Sequence, residues 1–285
     1  MAHSSTQLGP VLVISSQVID GQVGLQAITP GLRALGLGCV GIPTILLAAH
    51  PRAYPDAGTP TGGALPAKQI EEHGEWLISA GALDGVSGVL TGYMPSADHV
   101  SATAKLIDAL RDINPDLPVC CDPICGDHDR LYLPQEVVTA LHEQLIPRAD
   151  MATPNLFELG YLTGTGPLAT TQEAARAAQA LDVAQVVVTS APGPDGRIAT
   201  LEVGEGLLRC ETVAVPQVPH GMGDLFSALY LGLHLRREKM ALGIATSTMA
   251  KLAGKSANKN ALPSGPVEME KPALQETLSL PAKGK

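Results

Sequence analysis

The sequence predicts an α/β fold in which a mostly parallel central sheet is covered by helices on both faces. Three observations carry that prediction. Short aliphatic runs alternate with helix-length segments along most of the 285 residues, the pattern of successive βαβ units. Apolar residues make up 45% of the chain and aromatic residues only 3%, so the core is built from Ala, Val, Leu and Ile, as in buried parallel strands. Segments rich in Gly, Asp and hydroxyl residues fall where predicted strands pass into loops or loops into helices. Ligands of doubly wound sheets bind there, at the carboxyl ends of the strands.

Taken in order, residues 1–9 read as a loose terminus and 10–15 (PVLVIS) as the first strand. A helix is predicted over 22–35 and a second strand over 38–47. Residues 50–65 are rich in Pro, Gly and Thr and too long for a simple connector, so they are expected to be a lid or binding segment. A helix at 67–80, a strand at 86–91, a helix at 96–112 and a strand at 118–121 follow. Next come a helix after Pro134, a short strand ending at Thr153, and helices at 155–162 and 170–181. Residues 183–189 (VAQVVVT) give the strongest strand pattern. Residues 197–203 and 206–213 read as a hairpin turned at Gly204 and Gly206. Helices at 222–237 and 239–256 complete one domain ending at residue 262. The Pro- and Lys-containing tail over 263–285 has weak periodicity and is expected to be partly disordered.

The formal net charge of −9 and the lack of a dense basic patch argue against a nucleic-acid partner. An acidic protein that handles an anionic substrate must create positive potential locally, from helix N-termini, backbone N–H groups or a metal. Five cysteines, with no second His or Cys pair at zinc spacing, are read as reduced structural thiols of a cytoplasmic protein. No signal-peptide core and no membrane-spanning run is visible.

His220-Gly221-Met222-Gly223-Asp224 is the central motif. Gly221 and Gly223 allow a tight turn that presents several N–H groups to one point, and the following helix adds partial positive charge there. Asp224 at that place is suited to accept a proton from an attacking hydroxyl. Taken alone, so short a motif reads more readily as a Gly turn with an ordinary Asp in the first helical turn. Asp122 ends an apolar strand before Pro123, where a carboxylate can order water around Mg²⁺; the plain reading is a turn-initiating Asp. Glu158 lies in a helical first turn after Pro154-Asn155, a capping position. Thr189 and Ser190 close the strongest strand with hydroxyls suited to nucleotide phosphates.

These segments occur together and in a fixed order. Gly221-Met222-Gly223-Asp224 resembles the G-x-G-D anion-hole motif of the ribokinase superfamily, and Thr153-Pro154-Asn155-Leu156-Phe157-Glu158 its T-P-N-x-x-E segment. Asp122-Pro123-Ile124-Cys125-Gly126-Asp127 resembles the D-P-V-x-G-D segment of pyridoxal kinases. Val186–Ser190, Ser15-Ser16-Gln17-Val18 with Gly21 and Val23-Gly24, Val40–Leu47 and Thr91–Met94 are similar to further parts of those kinases. The resemblance spans about residues 11–250.

It implies a ribokinase-like three-layer fold and ATP-dependent phosphorylation of the 5′-hydroxyl of pyridoxal, pyridoxine or pyridoxamine. Asp224 would be the base and the amides from Gly221 to Asp224 the anion hole. Mg²⁺ would lie near Asp122 and Glu158, which with Met222, Thr189 and Ser190 face the nucleotide. The resemblance also implies a homodimer; a requirement for a monovalent cation is left open. Ser16, Thr44 and Tyr93 are the vitamer-binding candidates by resemblance. His50 joins them, although a lone His in a Pro-rich loop is more often a surface residue. Asp20 and His220 depart from the family pattern, as do Leu25, Ala48 and Ala49, and these last three remove hydrogen-bonding groups that the resemblance places at the vitamer end. Two alternatives stand beside this reading: a hydroxymethylpyrimidine kinase, and a weakly catalytic vitamer-binding protein. The pyrimidine kinases often carry Cys where Asp224 stands, so the Asp favours a B6 substrate.

Overall fold

The computed structural model describes residues 8–127, 130–256, 262 and 266–281. Its strands are β1 (Val11–Asp20), β2 (Cys39–Ala49), β3 (Gly62–Ala64), β4 (Gly88–Thr91), β5 (Val119–Cys121), β6 (Gly126–Asp127), β7 (Arg130–Leu131), β8 (Met151–Ala152), β9 (Gln185–Pro192), β10 (Arg197–Val203), β11 (Leu207–Val213) and β12 (Gln275–Leu278). The helices are α1 (Leu25–Ala34), α2 (Lys68–Ser79), α3 (Ala97–Ile113), α4 (Gln135–Ala140), α5 (Leu156–Leu162), α6 (Thr171–Ala180), α7 (Met222–Leu235) and α8 (Ala241–Lys255). Ten strands form one sheet in the order β12-β11-β10-β9-β8-β5-β4-β1-β2-β3. The six strands from β9 to β2 are parallel, and antiparallel strands extend both edges.

The period-2 rule divides the core into two layers. Leu12 and Ile14 of β1 point into a cluster roofed by α2, α3, α4, α5 and α6, whereas Val11 and Val13 point into one roofed by α1, α7 and α8. Val186 and Val188 against Val187 repeat the division on β9. Both faces of the sheet are therefore covered, which is why its strands read as unbroken aliphatic runs.

Most predicted elements lie where the sequence places them, and the differences have physical causes. β1 does not stop at Ser15 but runs to Asp20, because it pairs with β2 as far as Ala49. Pro43 cannot donate to the ladder; beyond it Thr44 and Ile45 together oppose Ser16 in a bulge. The segment 50–65, expected to be all loop, returns through β3 to pair with Ile45–Leu47. The helix after Pro134 is short: Pro147 ends it in a π turn and a 3₁₀ turn.

The largest difference is the tail. Residues 1–7 and 282–285, within the segments expected to be loose, lie outside the described residues. Residues 266–281, however, are built onto the domain. β12 pairs with Leu207–Cys210, Ala273 N–H donates to Gly243 O (3.0 Å), and Glu270 N–H donates to Thr248 Oγ1 (3.0 Å). Val267, Met269 and Ala273 pack on the cluster under α8. The weak periodicity comes from a four-residue edge strand joined to an extended strap, neither of which has a long repeat.

A chain ended at Leu262 should therefore lose this ladder and its apolar cover. We expect about 2 kcal/mol or more of lost stability, a fall in Tm of about 4–8 °C by scanning calorimetry. An unchanged Tm would show that the strap adds nothing.

Candidate active site

Two helix N-termini meet at the carboxyl edge of the sheet. Gly221 caps α7 at φ +84°, and a Cβ there would lie 1.8 Å from Gln22 O. Gly24 caps α1 at φ +55°, and a Cβ there would lie 2.1 Å from Ser16 O. Both turns therefore require glycine. Their meeting lets Gly24 N–H donate to Asp224 Oδ2 at 2.9 Å. The other oxygen, Oδ1, is buried without a hydrogen-bond partner. Burial pushes the Asp224 carboxyl up to about 6, and the Gly24 bond opposes that rise. At Gly223 the backbone is open: a Cβ would meet only Asp122 Oδ2, at 4.0 Å. The first-turn amides of α7 have no intrahelical acceptor and form an anion-binding terminus beside Asp122 and Asp224.

Asp122 follows β5 and is 5% exposed. Burial raises its carboxyl well above the usual range, and the Glu158 and Asp224 charges raise it further. Ser227 Oγ, one turn beyond Asp224, donates to Asp122 Oδ2 (2.9 Å) and lies 2.8 Å from Thr153 Oγ1. Glu158 and Asn155 form a reciprocal cap on α5, so the capping reading of Glu158 is correct. The Glu158 carboxylate also accepts from Cys125 N–H (3.1 Å) and Gly126 N–H, which ties α5 to the turn after β5. Burial pushes Glu158 up to about 8 against the pull of these three amides.

These three carboxylates form one buried acidic cluster. Such a cluster lacks positive charge and suits a cation that brings its own water. Among the described residues no three ligand-type side chains converge on a single point. Both Glu158 oxygens already accept amide hydrogens, so Glu158 fits contact through water rather than direct ligation.

The vitamer candidates divide into groups. Ser16 is half-buried, and its Oγ would lie 2.2 Å from a Cβ on Gly24, so it borders the turn that holds Asp224. Thr44 is fully buried and donates to Tyr93 O at 2.8 Å; it acts as a tie between β2 and the loop after β4 rather than as an open hydroxyl. Tyr93 is half-buried, and burial raises its phenol.

His50 is not the solvated surface residue its loop suggests. Its ring stacks on His220 at 4.0 Å between centroids, and burial lowers it to about 4, with the neighbouring His220 and Arg52 adding to the effect. On the same segment Tyr54 donates to Asp20. Leu25 is buried in the cluster under α1 and packs over Gly41. Ala49 is also buried, and Ala48 N–H pairs with Thr61 O.

Of the residues expected to face the nucleotide, Met222 is half-buried in the first turn of α7, and Thr189 bridges Asn155 beside the Glu158 cap. Ser190 is exposed, at φ +58°, in a bulge of β9 that re-aims its side chain. Sequence reasoning named Gly24 only within the Val23-Gly24 motif and did not single out Ser227 or the His50–His220 stack. For Ser227, its i+3 spacing from Asp224 was the local signal available.

Comparison with known proteins agrees with this geometry. The phosphomethylpyrimidine kinase family model matches residues 66–249. The pyridoxine/pyridoxal/pyridoxamine kinase of Bordetella avium is 39% identical over 237 residues, covering 80% of this chain and 78% of that protein. Pyridoxal kinase PdxY of Deinococcus radiodurans is 35% identical over 240 residues, covering 79% of each. Among solved structures, the pyridoxal kinase of Leishmania donovani in complex with ADP and pyridoxamine superposes with a TM-score of 0.83 at 25% identity, covering 95% of this chain and 99% of that one. The Entamoeba histolytica pyridoxal kinase shares the fold, with a TM-score of 0.82 at 23% identity, covering 95% of this chain and 100% of that one. With its G-x-G-D turn, its paired helix termini and these relatives, the chain belongs to the vitamin B6 kinase family of the ribokinase superfamily.

Proposed function

We propose that this protein transfers the γ-phosphoryl group of ATP to the 5′-hydroxyl of pyridoxal, pyridoxine or pyridoxamine, with Asp224 as the base. One observation carries the proposal. Asp224 is fixed through Oδ2 by Gly24, while Oδ1 is desolvated and unpaired at the N-terminus of α7. A carboxylate so held is oriented, and its free oxygen suits the proton of an acceptor hydroxyl. The amides of Met222, Gly223 and Asp224 face the same place and stabilise charge on the transferring group. No G-x-x-x-x-G-K-[ST] loop is present in the sequence, so phosphate binding rests on this terminus and on a cation.

Asp122 and Glu158 would hold Mg²⁺, Glu158 through water, and the cation would supply charge neutralisation for the phosphates. Thr189, Ser190 and Met222 are assigned to the nucleotide. Ser16, Tyr93 and His50 are assigned to the vitamer, with Thr44 holding the Tyr93 backbone. The family model that matches is named for the pyrimidine alternative, but the relatives named above, at 35–39% identity, carry B6 vitamers in their names, and Asp224 favours that substrate. The reading includes a homodimer, as the family resemblance implies. It also includes a cytoplasmic setting, with which five free cysteines, four of them buried, agree.

A steady-state assay with the three vitamers and hydroxymethylpyrimidine tests the substrate: turnover is expected with at least one vitamer and to exceed that with the pyrimidine. A chelator should abolish this turnover and Mg²⁺ restore it; full activity in metal-free buffer would remove the cation from the reading. Asp224→Asn keeps an acceptor for Gly24 N–H but removes the base, so turnover should fall about 10²–10⁴-fold with Tm nearly unchanged. A variant retaining most of its turnover would sink the assignment. Because the Asp224 carboxyl lies near 6, wild-type turnover should decline as pH falls through that value, and the residual turnover of Asp224→Asn should lack this acid limb.

A further inference from the structure

We infer that Ser227 is a positioning residue that aims the Asp122 carboxylate, and that the Thr153–Ser227 hydroxyl pair couples the helix carrying the base to the strand end carrying Asp122. The inference rests on the proposed phosphoryl transfer and deepens it.

Ser227 is 1% exposed, between Phe226 and Ala228 on a helix packed almost entirely with apolar side chains. Ala would fill that position as well, and a buried hydroxyl costs stability unless it is hydrogen-bonded. Ser227 Oγ is within bonding distance of three groups: Asp122 Oδ2 (2.9 Å), Thr153 Oγ1 (2.8 Å) and Gly223 O (3.0 Å). A hydroxyl has only one hydrogen to give. When Asp122 is ionised the charge attracts that hydrogen, and Thr153, 3% exposed at the end of β8, donates to Ser227 in turn. The chain then runs Thr153 to Ser227 to Asp122 and joins β8, α7 and β5. With Oδ2 held, rotation of the carboxylate is restrained and the direction of Oδ1 is biased. Gly223, whose missing side chain leaves the space beside Asp122 Oδ2 open, lies one turn before Ser227 on the same helix. Asp122 and Asp224 are thereby held in one register, although 105 residues separate Asp122 from Ser227.

The test uses the full chain with Ser227→Ala. Mn²⁺ affinity is measured by electron paramagnetic resonance in the presence of a non-hydrolysable ATP analogue, alongside the Mg²⁺ concentration that half-saturates turnover. Loss of a hydrogen bond to a charged group should weaken both by about tenfold or more. The Michaelis constant for the vitamer should stay within about twofold of wild type, a split that a general loss of structure would not produce. Thr153→Val removes the upstream donor while keeping the shape. It should shift Mn²⁺ affinity in the same direction by a smaller factor, and it carries the test if Ser227→Ala does not fold. Unchanged Mn²⁺ affinity in a folded Ser227→Ala, or in Thr153→Val where the first variant fails to fold, overturns the inference. Weakened Mn²⁺ binding in Ser227→Ala, with a wild-type chain inactive on every vitamer, would support the positioning role and reject the proposed reaction.

Discussion

The hydrogen bond from Gly24 N–H to Asp224 Oδ2 is the contact on which the rest of the site depends. It exists only because two helices start at the same point, each from a glycine in the left-handed region whose Cβ would strike a backbone carbonyl. One helix terminus uses an amide to hold the carboxylate of the other. A first-turn Asp commonly turns back to cap its own helix; here the neighbouring helix provides the amide, and the carboxylate keeps one oxygen free at the place where the α7 amides converge.

Charge explains much of the remaining architecture. A protein with net charge −9 that buries Asp122, Glu158 and Asp224 together has moved negative charge into the medium least able to solvate it. Each carboxyl is pushed upward, and each is partly compensated by a different donor: an amide of α1, a hydroxyl of α7, and the amides of the β5–β6 turn and the α5 cap. Local dipoles thus supply part of the positive potential that the composition lacks. The remaining deficit is what the proposed cation would make up.

The segment after β2 shows a different balance. It is anchored at one end by β3, through Tyr54 to Asp20, and through the stack of His50 on His220, immediately before Gly221. Two imidazoles 4.0 Å apart stack without repulsion only while at least one is neutral, and burial favours the neutral form of both. The departures at Leu25 and Ala49 are absorbed by the core, whereas Asp20 and His220 both hold this segment, through Tyr54 and His50.

By itself the sequence determined the alternation of strands and helices, the three-layer class, and the identity of the acidic residues at strand and helix ends. Those features depend on local periodicity and on motifs a few residues long: the aliphatic run before Asp122, the Asn155–Glu158 cap, and the glycines around Met222. The edge strand and strap after residue 265 were not legible, because a four-residue strand on a sheet edge leaves no period to read. Nor were the partners of the functional side chains. Gly24 and Asp224 are 200 residues apart, and Asp122 and Ser227 are 105 apart. Such pairs are decided by how the sheet orders its strands and where α7 lies across their ends. Only the tertiary structure could show that Asp224 keeps a free oxygen, that the Thr44 hydroxyl ties β2 to the loop after β4, and that a serine on an apolar helix face points at Asp122.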